Sequence, residues 1–222
     1  MIAASARASE KYTELSLGYS TGDYGTSVET QISRFTFSAG ILSGRQQFNI
    51  SIPYLALNDS ESDSVNGVGD TIIHYGYTTK KSKHNYSIYS SLSVKIPTAD
   101  ETKGLGSGET DIGAFASVNK HWRNTIAGLG AGYIVVGEPK GEDLNNIAQA
   151  SVSVYRQFQR TYLGGYLDYH SAYSDAAGNT LEGGINVYYI LNRNKGITAN
   201  VFKGLNGNSA DYGLQLGWII WF

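Results

Sequence analysis

The 222-residue chain has no cysteine and only three prolines. Without thiols there is no disulfide staple, so the fold must hold itself together by other means. No stretch approaches the roughly 18–20 apolar residues that a membrane-spanning helix requires. Uninterrupted apolar runs stay short, as at Trp218-Ile219-Ile220-Trp221-Phe222. A basic excess is also missing: the net charge is −2, which argues against a nucleic-acid partner, whose phosphates demand a positive surface. No secretory leader is legible either. Met1 to Ser9 contains Arg7 but no apolar core, and the chain reads as a mature form carrying a start methionine.

What the chain has in abundance is glycine, 27 residues, and tyrosine, 17. With so little proline this is a β composition with tight turns and amphipathic rings. The mean hydropathy of −0.25 would ordinarily signal a water-soluble protein. Strands that alternate between lipid and a polar interior also average to neutral, so the mean decides nothing.

Periodicity is more informative. From Ala210 to Phe222 every even position is apolar, while the odd positions begin Ser209, Asp211, Gly213, Gln215 and Gly217. The same period of two recurs upstream, for example at Tyr86, Ile88, Leu92, Val94 and Ile96 against Ser87, Ser91, Ser93 and Lys95. Similar runs centre on residues 47–54, 111–119, 127–135, 148–155, 163–170 and 180–191. Weaker ones lie at 11–19, 26–39, 67–78 and 197–205, giving twelve predicted strands. In the run at 26–39 Val28, Thr30 and Ile32 share a phase that Phe35 and Phe37 break, which predicts a bulge near Ser33-Arg34.

The connections alternate in length and in charge. Short links near 79–84, 120–125, 158–161 and 192–196 carry Lys80, Lys81, Lys83, Lys120, Arg123, Arg160, Arg193 and Lys195 and no acid. Longer ones near 57–67, 98–108, 138–146 and 174–180 carry Asp59, Glu61, Asp63, Asp100, Glu101, Glu138, Glu142, Asp143 and Asp175, against Lys103 and Lys140. The polar face of the strands is Ser, Gly, Asn, Gln, Thr and Tyr, not the Lys and Glu of a solvated surface. Apolar-face aromatics cluster toward both ends: Tyr19, Tyr54, Tyr133, Tyr169 and Tyr212 at one, Tyr75, Tyr77, Tyr86, Tyr189 and Trp218 at the other. Together these features predict an all-β transmembrane barrel: about twelve antiparallel strands in up-and-down order over residues 10–222. A short tail, 1–9, precedes it, and both termini lie on the short-turn, periplasmic side.

Several segments resemble the outer-membrane family named for the MetA pathway of phenol degradation. The matching pieces are Ser51-Ile52-Pro53-Tyr54, Gly67-Val68-Gly69-Asp70, and most specifically Lys95-Ile96-Pro97-Thr98-Ala99-Asp100 with Gly104-Leu105-Gly106-Ser107-Gly108 and Asp111. Gly132-Tyr133, Gly204-Leu205 and Asp211-Tyr212-Gly213 continue the likeness over roughly residues 12 to 222. The resemblance implies a channel or transporter-like barrel in the outer membrane of a Gram-negative bacterium, in contact with outer-membrane lipid. The terminal Phe222 likewise resembles the C-terminal signature that the barrel assembly machinery reads.

Twelve strands enclose an interior between the filled lumen of eight and the aqueous channel of sixteen or more. The expected function is therefore passive passage of small solutes, aromatic or polar, through a narrow polar lumen. A closed structural or surface-interaction barrel is the alternative. Candidate lumen-lining residues are Glu29, Asp70, Lys95, Glu109, Asp111, Asp168, His170, Glu182 and Asp211, with Lys95 bridging Asp70 and Asp111 on the flanking strands. The acids predict a mild cation preference. The segment Thr98 to Gly108, with Asp100, Glu101 and Lys103 as polar handles, is the candidate constriction loop. Catalysis is disfavoured. In Asp168, His170 and Ser171, the histidine and serine are strand neighbours and point to opposite faces, so a lipid hydrolase lacks its nucleophile–base pair. No cofactor and no metal site is expected.

Overall fold

In a computed structural model the described residues are 9–24, 28–61, 64–141, 143–175 and 177–222. Most of the expected 1–9 tail, with Asp63 and Glu142, lies outside them. Thirteen strand segments follow one another: β1 (Glu10–Gly22), β2 (Thr30–Ser43), β3 (Gln46–Asp59), β4 (Val65–Val68), β5 (Thr71–Thr78), β6 (Tyr86–Ile96), β7 (Asp111–Trp122), β8 (Thr125–Val135), β9 (Ile147–Phe158), β10 (Thr161–His170), β11 (Thr180–Asn192), β12 (Lys195–Gly204) and β13 (Tyr212–Trp221). Apart from β4 and β5, which both pair with β3, each pairs antiparallel with its neighbours in sequence, and β1 pairs with β13 from Tyr12↔Trp221 to Thr21↔Tyr212. The sheet closes on itself, which leaves no long edge.

β4 and β5 form a single barrel strand. Both pair with β3, the first through Tyr54↔Val68 to Leu57↔Val65, the second through Gln46↔Tyr77 to Ser51↔Ile72. The two registers differ by one residue, so a bulge sits at Gly69-Asp70-Thr71. Twelve barrel strands result, the number predicted. The bulge expected near Ser33-Arg34 is not there: β2 pairs without interruption from Thr30 to Leu42 with β1 and from Thr30 to Ser43 with β3. Phe35 and Phe37 set the outward phase, and Ile32 faces inward opposite Ser20 near the loop end, where the interior tolerates a carbon side chain. A register shift does occur at Ile190/Asn192, beside the β11–β12 turn.

The register assigns every side chain to a face. Leu15, Leu17, Phe37, Phe48, Leu92, Leu129, Val152, Leu167, Ile185 and Leu216 all point outward and are exposed, Leu129 by 65%. A water-soluble monomer does not leave a continuous belt of this kind uncovered. Lipid satisfies it. Tyr19, Tyr54, Tyr133 and Tyr212 rim the belt toward the loops, and Tyr75, Tyr86, Tyr189 and Trp218 toward the turns, as at two bilayer interfaces. Lys120 lies 4.1 Å over the Tyr86 ring and donates to the His84 carbonyl, keeping its charge at the turn-side interface. Ala210 departs from the expected strand. It is 2% exposed, packed in the folded 205–211 loop where the Gly204 N–H donates to its carbonyl.

Inside, large rings lie flat on glycines of adjacent strands. Tyr12 covers Gly40, Tyr89 covers Gly76, Tyr155 covers Gly164, Tyr166 covers Gly184 and Phe202 covers Gly213. A Cβ at any of these glycines would collide with the ring above it. The missing side chain is what lets an aromatic lie along the wall instead of across the lumen.

Two substitutions check these assignments. Leu129→Arg, mid-strand on the outer face, is expected to cost about 2–4 kcal/mol in denaturant titration of the barrel folded into vesicles. Gly164→Val is expected to cost about 1–3 kcal/mol by displacing Tyr155, whereas Gly44→Asn, in an open turn, should change stability by less than about 0.5 kcal/mol.

Candidate functional site

The lumen wall is a mesh of small polar groups and rings. Ser38 and Ser51 hydroxyls meet at 2.9 Å, and Ser51 donates to Asn49 at 2.9 Å. Asn49 in turn donates to the Tyr12 hydroxyl at 3.0 Å. His74 Nε2 and the Tyr89 hydroxyl lie 2.7 Å apart, Ser87 and His121 Nε2 2.8 Å apart. Among the described residues no buried side-chain nitrogen or oxygen lacks a partner. A half-satisfied network would cost more than an apolar core, so this one makes the wall stiff.

At the loop end, Lys95 is the centre of a clasp. Its ammonium lies 2.8 Å from Asp111 on the neighbouring β7, 3.7 Å from Asp70 at the bulge, and donates to Ser107 Oγ at 2.7 Å. Only the first and last are hydrogen bonds; Asp70 is held by charge. All three ionic side chains are shielded, with 23%, 19% and 10% exposure for Lys95, Asp111 and Asp70. The bulge turns Asp70 toward the clasp, a usual role for such irregularities.

The clasp reaches two loops. Asp70 accepts the Ala99 N–H at 3.1 Å, and Thr98 Oγ1 donates to the Gly69 carbonyl at 3.0 Å while accepting the Thr71 N–H. Asp111 accepts the Gly137 N–H at 3.0 Å, tying in the following loop. Leu105, 5% exposed, packs on Gly67, whose register opposite Leu55 points it inward. The loop 97–110 is thus folded against the inner wall. Within it Asp100 caps a short 3₁₀ turn, Glu101–Lys103, which ends at Gly104 in the left-handed region. The Thr102 hydroxyl donates to Asp100 at 2.6 Å, and this bond, with Thr102 N–H and Lys103, lowers the Asp100 pKa below its ordinary value. A depressed carboxyl stabilises the turn at neutral pH, and that contribution disappears as pH falls through the lowered value.

The other predicted residues divide into two groups. Asp168 and Glu182 face each other directly across β10–β11 with His170 one step nearer the loops, all in the lumen-facing phase. Glu29, Glu109 and Asp211 sit just beyond strand ends, at the rim: Thr21 donates to Glu29 at 3.0 Å, and the Glu109 N–H donates to Ser107. Among the described residues, no group of three or more His, Asp or Glu is disposed to hold a metal ion. Ser171 Oγ accepts the Ala148 N–H at 2.8 Å, a strand-edge role, and lies on the phase opposite His170.

Sequence reasoning counted tyrosine among the polar-face residues, Tyr155 and Tyr166 correctly so, but passed over most of the other inward aromatics. Tyr12, Tyr89, Phe115, Tyr155, Tyr162, Tyr166, Tyr188, Phe202 and Trp221 share the lumen phase with serines and glycines. It also missed Glu14 and Arg34, the latter facing inward opposite Gly18. The usable signal was strand phase combined with a glycine at the paired position, not residue type.

No family model and no curated protein matches the chain. Solved structures do. The COG4313 outer membrane channel from Pseudomonas putida F1 superposes with a TM-score of 0.82 at 14% identity, covering 98% of this chain and 97% of that one. The KdgM porin gives 0.61 at 9% identity over 93% and 98%. Outer membrane phospholipase A from Escherichia coli gives 0.52 at 8% identity over 95% and 89%. At such identities the likeness concerns architecture, and the same architecture hosts both channels and an enzyme. The chain is a closed, twelve-stranded antiparallel β-barrel with the fold of outer-membrane proteins.

Proposed function

We propose that this barrel is an outer-membrane channel for small solutes, cation-preferring, with the loop 97–110 clasped to the wall as its constriction. The observation that carries the reading is the lumen itself. Between the two rims the inner face is hydroxyls, amides, glycines and rings, and bears Glu14, Asp70, Asp111, Asp168 and Glu182 against Arg34 and Lys95. Five carboxylates less two cations leave an excess of three negative charges in a confined space, histidines taken as neutral. Low-dielectric walls focus such a field and raise the local cation concentration. The rim acids Glu29, Glu109 and Asp211 extend it outward.

The architecture shared with the Pseudomonas putida channel and the KdgM porin supports the same assignment, as does the resemblance to the MetA-pathway family. Solutes of the expected class, aromatic or polar, suit a wall that alternates rings with hydrogen-bonding groups. Membership of that family, a periplasmic position of both chain ends, and recognition of Phe222 by the assembly machinery belong to the proposal. Phospholipase-type chemistry has less support, because Ser171 and His170 lie on opposite faces of the wall.

Planar-bilayer recordings under a salt gradient are expected to give a reversal potential of the sign for cations, and Asp168→Asn with Glu182→Gln should move it toward zero. Anion selectivity, or an unchanged potential in the double variant, would refute the cation preference; absence of any conductance step would refute the channel. For the clasp, Lys95→Met leaves Asp70 and Asp111 without their shared counter-charge. It is expected to destabilise the barrel by about 3 kcal/mol and to make the 97–110 loop cleavable in limited proteolysis, with larger and noisier conductance steps. A variant with native cleavage and native steps would show that the loop does not depend on Lys95.

A further inference from the structure

The turn-end mouth holds an arrangement that the channel reading does not use. Tyr12 on β1 and Trp221 on β13 are paired, with ring centroids 4.9 Å apart at 45°. Tyr188 on β11 leans across Gly196 of β12, toward β13, which carries Trp221. Tyr162 on β10 stands beside Tyr188, centroids 5.9 Å apart. Four rings therefore form a continuous arc over a third of the circumference.

One carboxylate faces the middle of that arc. Glu14 lies one inward step above Tyr12, and its side chain bends across β13 to accept a bond from Thr198 Oγ1 at 3.4 Å. It crosses β13 over Gly217, where a Cβ would come within 2.6 Å of Glu14 Oε1. Glycines at 217 and 196 thus open the wall for the acid and for Tyr188 together. No cationic side chain pairs with Glu14 among the described residues. Lys11 and Lys195, the nearest in the strands concerned, are in the outward phase. A long, weak bond to one hydroxyl leaves most of the acceptor capacity of this carboxylate turned to the lumen.

We infer that this arc is a binding site for a small organic cation, an alkylammonium or quaternary ammonium group. Ring faces attract such a cation through their quadrupoles, most strongly for Trp, and the carboxylate supplies the full opposing charge. An anionic solute would meet Glu14 unfavourably. A neutral ring or sugar would find the stacking faces but make no use of the charge. The site deepens the cation-preferring channel reading, on which it rests for the ligand's route into the lumen.

The test uses choline and its neutral isostere, 3,3-dimethyl-1-butanol, with Trp221 as reporter. Trp122 and Trp218 both point outward, so Trp122→Phe with Trp218→Phe leaves a single emitting indole in the detergent-folded barrel, whose folding is checked by heat-modifiable gel migration. Choline is expected to give a saturable change in Trp221 emission and the isostere none. Glu14→Gln is expected to weaken the apparent affinity at least tenfold, about 1.4 kcal/mol, and Tyr188→Leu to weaken it several-fold. No saturable change, an equal response to the isostere, or an unaltered affinity in Glu14→Gln would each overturn the site. Should Glu14→Gln fail to fold, the isostere comparison and Tyr188→Leu decide. Saturable binding by a barrel silent in bilayers would keep the site and remove the channel, and conductance without binding would do the reverse.

Discussion

Everything in this molecule follows from the absence of water around its outer face. A backbone N–H or C=O turned toward hydrocarbon has no partner there, and each such group costs several kcal/mol. Strands can meet that demand only by closing, which is why the first and last strands pair from Tyr12↔Trp221 to Thr21↔Tyr212. The same bond pattern continues to the final residue, whose N–H donates to the Lys11 carbonyl at 2.9 Å. Once the ladder is closed, side-chain chemistry on the two faces becomes independent. Hydrocarbon dictates the outside and leaves the inside free for polar function.

That independence explains the unusual economy of the interior. A barrel of twelve strands is too wide for side chains to fill as a core and too narrow for a broad aqueous pore. The solution here is to lay rings against the wall over glycines, as Tyr155 does on Gly164 and Tyr12 on Gly40, and to tether the tyrosine hydroxyls by amides such as Asn186 and Asn49. Large residues then occupy the circumference without blocking the axis. The high counts of glycine and tyrosine are two sides of one packing rule.

Much of this was readable in the chain. Period-two alternation located all twelve strands, because lipid disfavours charge mid-strand and the outer phase is therefore mostly apolar. Loop and turn ends were legible from length and charge. The pairing of Lys95 with Asp70 and Asp111 could be anticipated since adjacent strands in an up-and-down barrel have only one neighbour order. The irregularities were not readable. Ile32 was taken to share an apolar phase with Val28, when it merely faces inward near the rim. The true bulge at Gly69-Asp70-Thr71 is invisible to alternation, because Asp70, Ile72 and His74 keep a common phase and the shift appears only against β3. Inward aromatics such as Phe115 and Tyr188 were missed for a related reason. An aromatic residue fits lipid and lumen equally, and only its partner glycine distinguishes them.

The interrupted strand has a mechanical consequence. Val65–Val68 is bonded to β3 on one side, and among the described residues no strand takes its other side. There the wall is completed by Leu105 and its loop, that is, by contact instead of by ladder. Stiffness around the circumference is therefore uneven. Deformation of the cylinder concentrates at this sector, where opening a gap breaks side-chain packing without tearing a row of peptide bonds from their partners, and amide hydrogen exchange should run fastest there.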